Sequence, residues 1–480
     1  MIELIGILLP LGLLMYFAFR GVTLLLLAPM MAVLAAVLSG GLPPLAAFTQ
    51  VFMMNTADFI LAFFPLFFLG AIFGKLMDDS GAAESIARFV VGKLGTGNAI
   101  LSVVICCAVL TYGGVSLFVV AFAIFPIAAA LFRDANVPKR FIPGAIALGA
   151  FTFTMSALPG TPAIQNAIPM PYFGTTAFAA PGLGIVAATI MLGLGMLWLN
   201  RRAMAAMAGG EGYGAHHDDI PEPDTVMRAQ AQNEGFDVTE IEAGDPPIGR
   251  PGILPAVAPI VIVVVVNLAF IQFVVPQLDS AYLGEPLFGE TSIEAVRGVW
   301  AIVVALVASI LFLIVTNFRR IADIRETLNR GADAAVLPIF NTASLVGFGA
   351  VIAALPAFTK VTEALLSASG GNPLVSVALS VTTLSALTGS ASGGMSIALD
   401  ALGDTFRSMA VETGTSLEAT HRVTSVASGA LDALPHNGAV ITVLGIAKLT
   451  HQDSYFDIFV TAVIIPFVAL VAIIGIASLI

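Results

Sequence analysis

The 480-residue chain is 58% hydrophobic and only 11% charged, with 33 Phe and 46 Gly, which sets aside a soluble domain and points to a helical protein that crosses a bilayer many times. Its formal charge of -11 says little about partners, because ten acidic residues against a single Arg fall between Glu211 and Asp245. With no basic stripe, nucleic acid is excluded as a partner. The adjacent Cys106 and Cys107 have apolar flanks and read as packing rather than as a disulfide or metal site.

Taken in order, residues 2–19 carry Glu3 and no basic leader, so they read as a retained span rather than a signal peptide. Spans follow at 22–38 and 58–76. The run 98–132 is too long for one crossing and is broken at Thr111-Tyr112-Gly113-Gly114. Residues 141–167 are broken at Pro159–Pro162, and 181–199 form another span. The polar stretch 200–250 reads as an acidic cytoplasmic linker, with His216 and His217 solvated within it. Further spans cover 253–275, 295–317 and 334–355. Then come 373–409, broken at Thr388–Gly394; 417–449, broken at Pro435–Gly438; and 456–480.

The two halves match at an almost constant offset. Phe64 pairs with Phe340, Asn98 with Asn372, Ser102-Val103 with Ser376-Val377, Leu110-Thr111 with Leu387-Thr388, and Ala157-Leu158-Pro159 with Ala433-Leu434-Pro435. Five matches in order, with both helix breaks in register, imply an internal repeat. Paired Gly/Pro interruptions in a repeat point to the binding site of a secondary transporter. The expected organisation is scaffold spans in 1–57, repeat 1 in 58–199 (hairpin 98–133, broken helix 141–167), the linker 200–250, scaffold spans in 251–333, and repeat 2 in 334–480 (hairpin 372–409, broken helix 417–450).

If the Gly-broken segments are re-entrant hairpins, sixteen of the twenty Lys/Arg fall on one face, leaving only Arg297, Lys360, Arg407 and Arg422 on the other. By the positive-inside rule the first face is cytoplasmic. Ten crossings, two hairpins and inverted repeats follow, so the fold class is an all-α polytopic membrane protein. A bacterial inner membrane is the expected location.

Each hairpin tip offers hydroxyls, glycines and free backbone: Thr111, Gly113, Gly114 and Ser116 in the first; Ser390, Ser392, Gly393 and Gly394 in the second. Glycine lets a ligand approach the main chain, and the helix N-termini after each tip favour an anion. Thr161, Gln165, Asn166 and Asn437 extend the polar lining. Small residues at these positions would equally permit close helix packing. Ionisable groups within spans are functional candidates, so Asp432 and His436, four residues apart, are expected to couple transport to protons. Asp404 and Arg407 read as a structural ion pair. There is no Walker loop, zinc signature or Gly-x-Ser-x-Gly elbow, so neither an ATP-driven pump nor an enzyme is expected, and no cofactor or metal.

The segments Phe73-Gly74-Lys75-Leu76-Met77-Asp78-Asp79-Ser80-Gly81, Tyr112-Gly113-Gly114, 157–171 and 385–402 resemble those of the gluconate permease family. The resemblance implies the ion transporter superfamily fold, an elevator-like transport domain, a homodimer, and proton symport of a small organic anion such as gluconate or 3-hydroxybutyrate. It carries a binding role onto Thr111, Gly113, Gly114, Ser116, Thr161, Asn166, Ser390, Ser392, Gly393, Gly394, His436 and Asn437. A sodium-coupled di- or tricarboxylate (citrate) carrier stays open as an alternative, since hydroxyls and carbonyls at the tips would also ligate Na⁺. An anion channel is the third possibility.

Overall fold

Among the described residues, six helices are long and apolar enough to cross a bilayer: Pro44–Asp79, Pro181–Ala208, Ile253–Gln277, Ile293–Asn317, Ile324–Ala353 and His451–Ala477. The structure, a computed structural model, describes residues 2–20, 22–216, 249–360, 367 and 369–479. Among these residues there is no strand. Shorter apolar helices supply the rest of the bundle, as expected for backbone that must satisfy its own hydrogen bonds in lipid. His217 and the remainder of the acidic linker to residue 248 lie outside the described residues.

The N-terminal pair, Ile2–Phe19 and Leu24–Ser39, pack against each other and against Val336–Ala353 to make a small separate core. Gly40, in a left-handed conformation (φ 63°), ends the second helix. Pro44–Asp79 begins well before the expected residue 58 and carries a π-turn at Ala47–Phe52. It crosses Val336–Ala353 at Gly347, where a Cβ would collide with the Thr56 hydroxyl and the Phe52 carbonyl.

Each half contains, in the same order, a helical hairpin, an interrupted segment and a long helix. The first hairpin is Ala99–Tyr112 with Leu117–Asp134; the second is Pro373–Thr388 with Ala391–Thr413. The first interruption is longer than the expected break at Pro159–Pro162. Helix Ile142–Ala150 stops at Thr152, whose φ/ψ of −120°/−113° is not helical, and a single turn, Phe153–Ser156, precedes irregular chain up to Ala163. Short turns Ile164–Ala167 and Pro169–Phe173 follow. In the second half, Leu417–Ser428 ends at Gly429, earlier than the expected Pro435, and Gly438–Ile446 resumes after Asn437. The single turn Phe153–Ser156 packs on Leu417–Ser428, so the two interruptions face each other, and Pro181–Ala208 packs along Ile465–Ala477.

Ala82–Leu94 is an amphipathic helix that reading the chain for membrane spans passes over. It buries Ala82, Ala83, Ile86 and Ala87 and exposes Arg88, Phe89 and Lys93. The last long helix starts at His451, not at 456, because Thr450 and Asp453 form a reciprocal cap: both the Thr450 N–H (2.8 Å) and its hydroxyl (2.6 Å) donate to the Asp453 carboxylate.

Candidate functional site

The first tip forms because helix Ala99–Tyr112 ends in a tight reversal. Gly114 N–H donates to the Thr111 carbonyl (3.0 Å) and Val115 N–H to the Leu110 carbonyl (3.1 Å), with Gly114 at φ 96°. Tyr112 then ties the tip to the first interruption through its hydroxyl, which donates to the Pro159 carbonyl (2.8 Å). Between them lies a cavity of about 170 Å³, walled by Thr111, Gly114 and Ser116 of the tip, Pro162 and Gln165 of the interruption, and Ser392 of the second tip. Gly70 and Gly74 of one long helix and Pro338 and Thr342 of another close the opposite side. The Thr111 hydroxyl is buried without a hydrogen-bond partner. Ser116 begins helix Leu117–Asp134 and its side chain caps nothing.

A second chamber of about 30 Å³ adjoins the first and shares Leu117, Met155, Gln165 and Ser392 with it. Asp432 and Asn437 line it, and the buried Asp432 leaves Oδ1 without a partner. Asn437 works on both sides of its break. Its Oδ1 accepts from Val440 N–H (2.9 Å) to cap Gly438–Ile446, while Nδ2 donates to the Gly389 carbonyl of the second tip (2.9 Å). His436 Nε2 donates to the Ala386 carbonyl (3.1 Å), which fastens the same tip from a second point.

Behind the first interruption lies a fully buried cation. Arg422 uses all five N–H donors on neutral oxygens. Nε donates to Ala179 O (3.1 Å); Nη1 to Ser156 O (3.2 Å) and Asn166 Oδ1 (2.9 Å); Nη2 to Ala177 O (3.3 Å) and Ala179 O (2.8 Å). Asn166 in turn donates to Thr161 O and Ala177 O, both at 3.0 Å. His421, also buried, lies between Thr175 Oγ1 (2.6 Å) and Asn166 Oδ1 (3.3 Å).

Thus Thr111, Gly114, Ser116 and Ser392 meet at the larger cavity, and Asp432 and Asn437 at the smaller. Thr161 and Asn166 stand behind the wall. Ser390 caps the second arm of its hairpin, accepting from Gly393 N–H (3.2 Å). Gly113, Gly393 and Gly394 pack: a Cβ would meet Ile260 Cγ1 at 2.6 Å, Leu345 Cδ1 at 2.5 Å and the Ser385 backbone respectively. Arg407 donates to the Tyr172 carbonyl (3.0 Å). His216 lies edge-on to Tyr213, and both cysteines are buried and free. Sequence reasoning missed His421 and counted Arg422 as a charge on the outer face. The signal was there: a His-Arg pair inside the span 417–449, on a helix (Leu417–Ser428) with no other basic residue, is costly in a membrane unless it has a role. Among the described residues no cluster of three or more His, Cys, Asp or Glu could hold a metal.

A family model described as "Na+/H+ antiporter family" matches residues 166–478. A transporter of Bacillus subtilis (strain 168), YxjC, described as uncharacterized, is 44% identical over 484 residues, covering 99% of each chain. Among solved structures, the YdaH transporter of Alcanivorax borkumensis shares the fold with a TM-score of 0.53 at 16% identity, over 91% of this chain and 88% of its own. These findings correct the resemblance to gluconate permeases. Gly-Gly tips and Ala-Leu-Pro breaks follow from the demand for close packing and unwound backbone, so they do not single out that family, whereas a match spanning the second half does discriminate.

Proposed function

The chain belongs to the Na+/H+ antiporter family, and from that premise we propose that this multi-pass membrane transporter is a secondary carrier of a small organic monocarboxylate, driven by a cation, H⁺ or Na⁺, held at Asp432. The observation that carries the proposal is the juxtaposition of a hydroxyl-lined cavity with a chamber holding an unpartnered carboxylate oxygen. A cavity of about 150 Å³ holds benzene, so 170 Å³ suits a ligand of roughly six to eight non-hydrogen atoms. That is the size of 3-hydroxybutyrate, and too small for gluconate or citrate. The N-terminus of Leu117–Asp134, with the uncapping Ser116 at its start, favours a carboxylate there. The smaller chamber, about the volume of one water, suits a single dehydrated ion or a protonated carboxyl.

The first arms of the hairpins have 14 and 16 residues, or roughly 21–24 Å of helix against a hydrocarbon core of about 30 Å. That length favours re-entrant hairpins, and the Lys/Arg bias favours their entering from opposite sides of the bacterial inner membrane, hence inverted repeats.

A second reading is Na⁺/H⁺ exchange without an organic substrate, favoured by the family match and by the single acid. Proteoliposomes separate the two. Labelled 3-hydroxybutyrate should accumulate when a pH or Na⁺ gradient is imposed. Asp432→Asn should cut that driven uptake by about 100-fold while keeping substrate counterflow. Cation exchange that proceeds identically with no carboxylate present, and no accumulation of any three- to five-carbon acid, would replace the proposal by the second reading.

A further inference from the structure

We propose that Arg422 is the specificity-determining charge of this carrier: a permanently positive group kept behind the wall of the substrate cavity, where it selects a carboxylate over a neutral ligand without touching it. The inference rests on the carboxylate reading above.

Guanidinium does not deprotonate in proteins. Every donor of Arg422 ends on a carbonyl or amide oxygen, and among the described residues it forms no ion pair. Its hydrogen bonds are therefore satisfied while its net charge is not cancelled. Guanidinium is the one side chain with five donors, so the same geometry also serves as a staple; what a staple does not require is the uncancelled charge, which is costly to bury.

The charged and titratable groups around it do not neutralise it. His421 is adjacent and lies between Thr175 and Asn166. The Tyr112 hydroxyl is occupied by the Pro159 carbonyl. Glu418, one helical turn earlier, is exposed and accepts from Ala180 N–H (3.3 Å).

Position completes the argument. Two of the oxygens it binds belong to Ser156 and Asn166, whose chain neighbours Met155 and Gln165 line both chambers. One residue step and one hydrogen bond separate cation from wall, roughly 8–10 Å from a bound ligand. At that range in protein, a unit charge changes the affinity of an anion by about tenfold or more. Asp432, in the small chamber, supplies the opposite sign. Empty, the site is neutral overall; with a cation at Asp432 it carries one net positive charge. Cation and anion therefore favour each other's binding, which is the coupling that a symporter needs.

The test compares 3-hydroxybutyrate with its neutral amide, by calorimetry on the purified full-length protein in saturating Na⁺. Wild type should bind the acid at least tenfold more tightly than the amide. Arg422→Gln should abolish that preference, and Arg422→Lys should largely retain it. Asn166→Asp provides a variant that keeps an oxygen against Nη1 but cancels the charge, and it should abolish the preference as well; it decides alone if Arg422→Gln does not fold. If these variants weaken acid and amide equally and keep the wild-type ratio, Arg422 is only a staple and the inference is overturned, while the carboxylate reading stands. If wild-type protein binds no three- to five-carbon acid, both are overturned.

Discussion

At the scale of single residues, the glycines of the second tip differ from those of the first in what surrounds them. Gly114 adopts φ 96° and borders the cavity, with a Cβ position 2.8 Å from Pro162 Cγ. Gly394 is helical, and a Cβ there would fall inside the backbone of Ser385 on the opposing arm. Backbone cannot yield as a flexible side chain does, so overpacking at this position separates the hairpin arms. Gly394→Ala should lower the apparent melting temperature in detergent by roughly 3 °C or more. An unchanged melting temperature would mean the arms are not in contact at that point. A Gly-Gly pair looks the same in sequence whether it lines a cavity or a helix contact, and here one pair does some of each. The same limit hid Arg422. Its acceptors lie 243 to 266 residues away along the chain, so the sequence shows a costly charge in an apolar run but not the carbonyls that receive it.

At the scale of elements, the hairpins and breaks were legible, because Gly, Pro and hydroxyl residues interrupt apolar runs that are otherwise uniform. Helix ends were less so. The polar residues Thr49, Asn55 and Thr56 suggest a chain still outside the membrane, yet each bonds the carbonyl four residues earlier (2.7, 2.7 and 2.8 Å), so the helix runs through them. The strap after Pro181–Ala208 was hidden for a different reason, since it depends on pairing between distant elements. Glu211 accepts two hydrogen bonds from Arg140 (2.6 and 3.0 Å), and Arg140 and Arg202 both approach the buried Asp457. Tyr213 lies under Arg133. The Arg140 hydrogen bond holds the Glu211 carboxyl below its ordinary range. A lowered folded value gives stability that is fully present above the unfolded value of about 4.3 and is lost as pH falls through the folded one. Wild type should therefore melt slightly above Glu211→Gln at pH 7, with the difference closing below about pH 4. The effect is small because Glu211 is largely solvated. A gap that persists at pH 3 would show that the strap owes nothing to this charge.

At the scale of the molecule, the repeat and the direction of the chain are linked through charge. Counting Arg422 as an outer-face residue was an error, since it lies in the core; leaving it out together with Lys75 and Lys139, which are also buried, leaves a positive-inside bias of fourteen against three. That bias depends on each hairpin returning to the side it entered. A full crossing by the first would carry Arg133, Lys139 and Arg140 to the outside and invert everything after it. The two topologies differ in which sides the ends of one hairpin occupy, and this can be read by labelling. In a background with Cys106 and Cys107 replaced by Ala, single cysteines at Lys93 and Asp134 bracket the first hairpin, and Gly371 and Gly414 bracket the second. With re-entrant hairpins, an impermeant maleimide added to intact cells should spare both Lys93→Cys and Asp134→Cys but modify both Gly371→Cys and Gly414→Cys; inside-out vesicles should give the reverse. If the two cysteines flanking either hairpin react from opposite sides, that hairpin is a crossing. Were it the first, the second half would repeat the first without inversion, and the two tips could not meet at one cavity from opposite faces of the membrane.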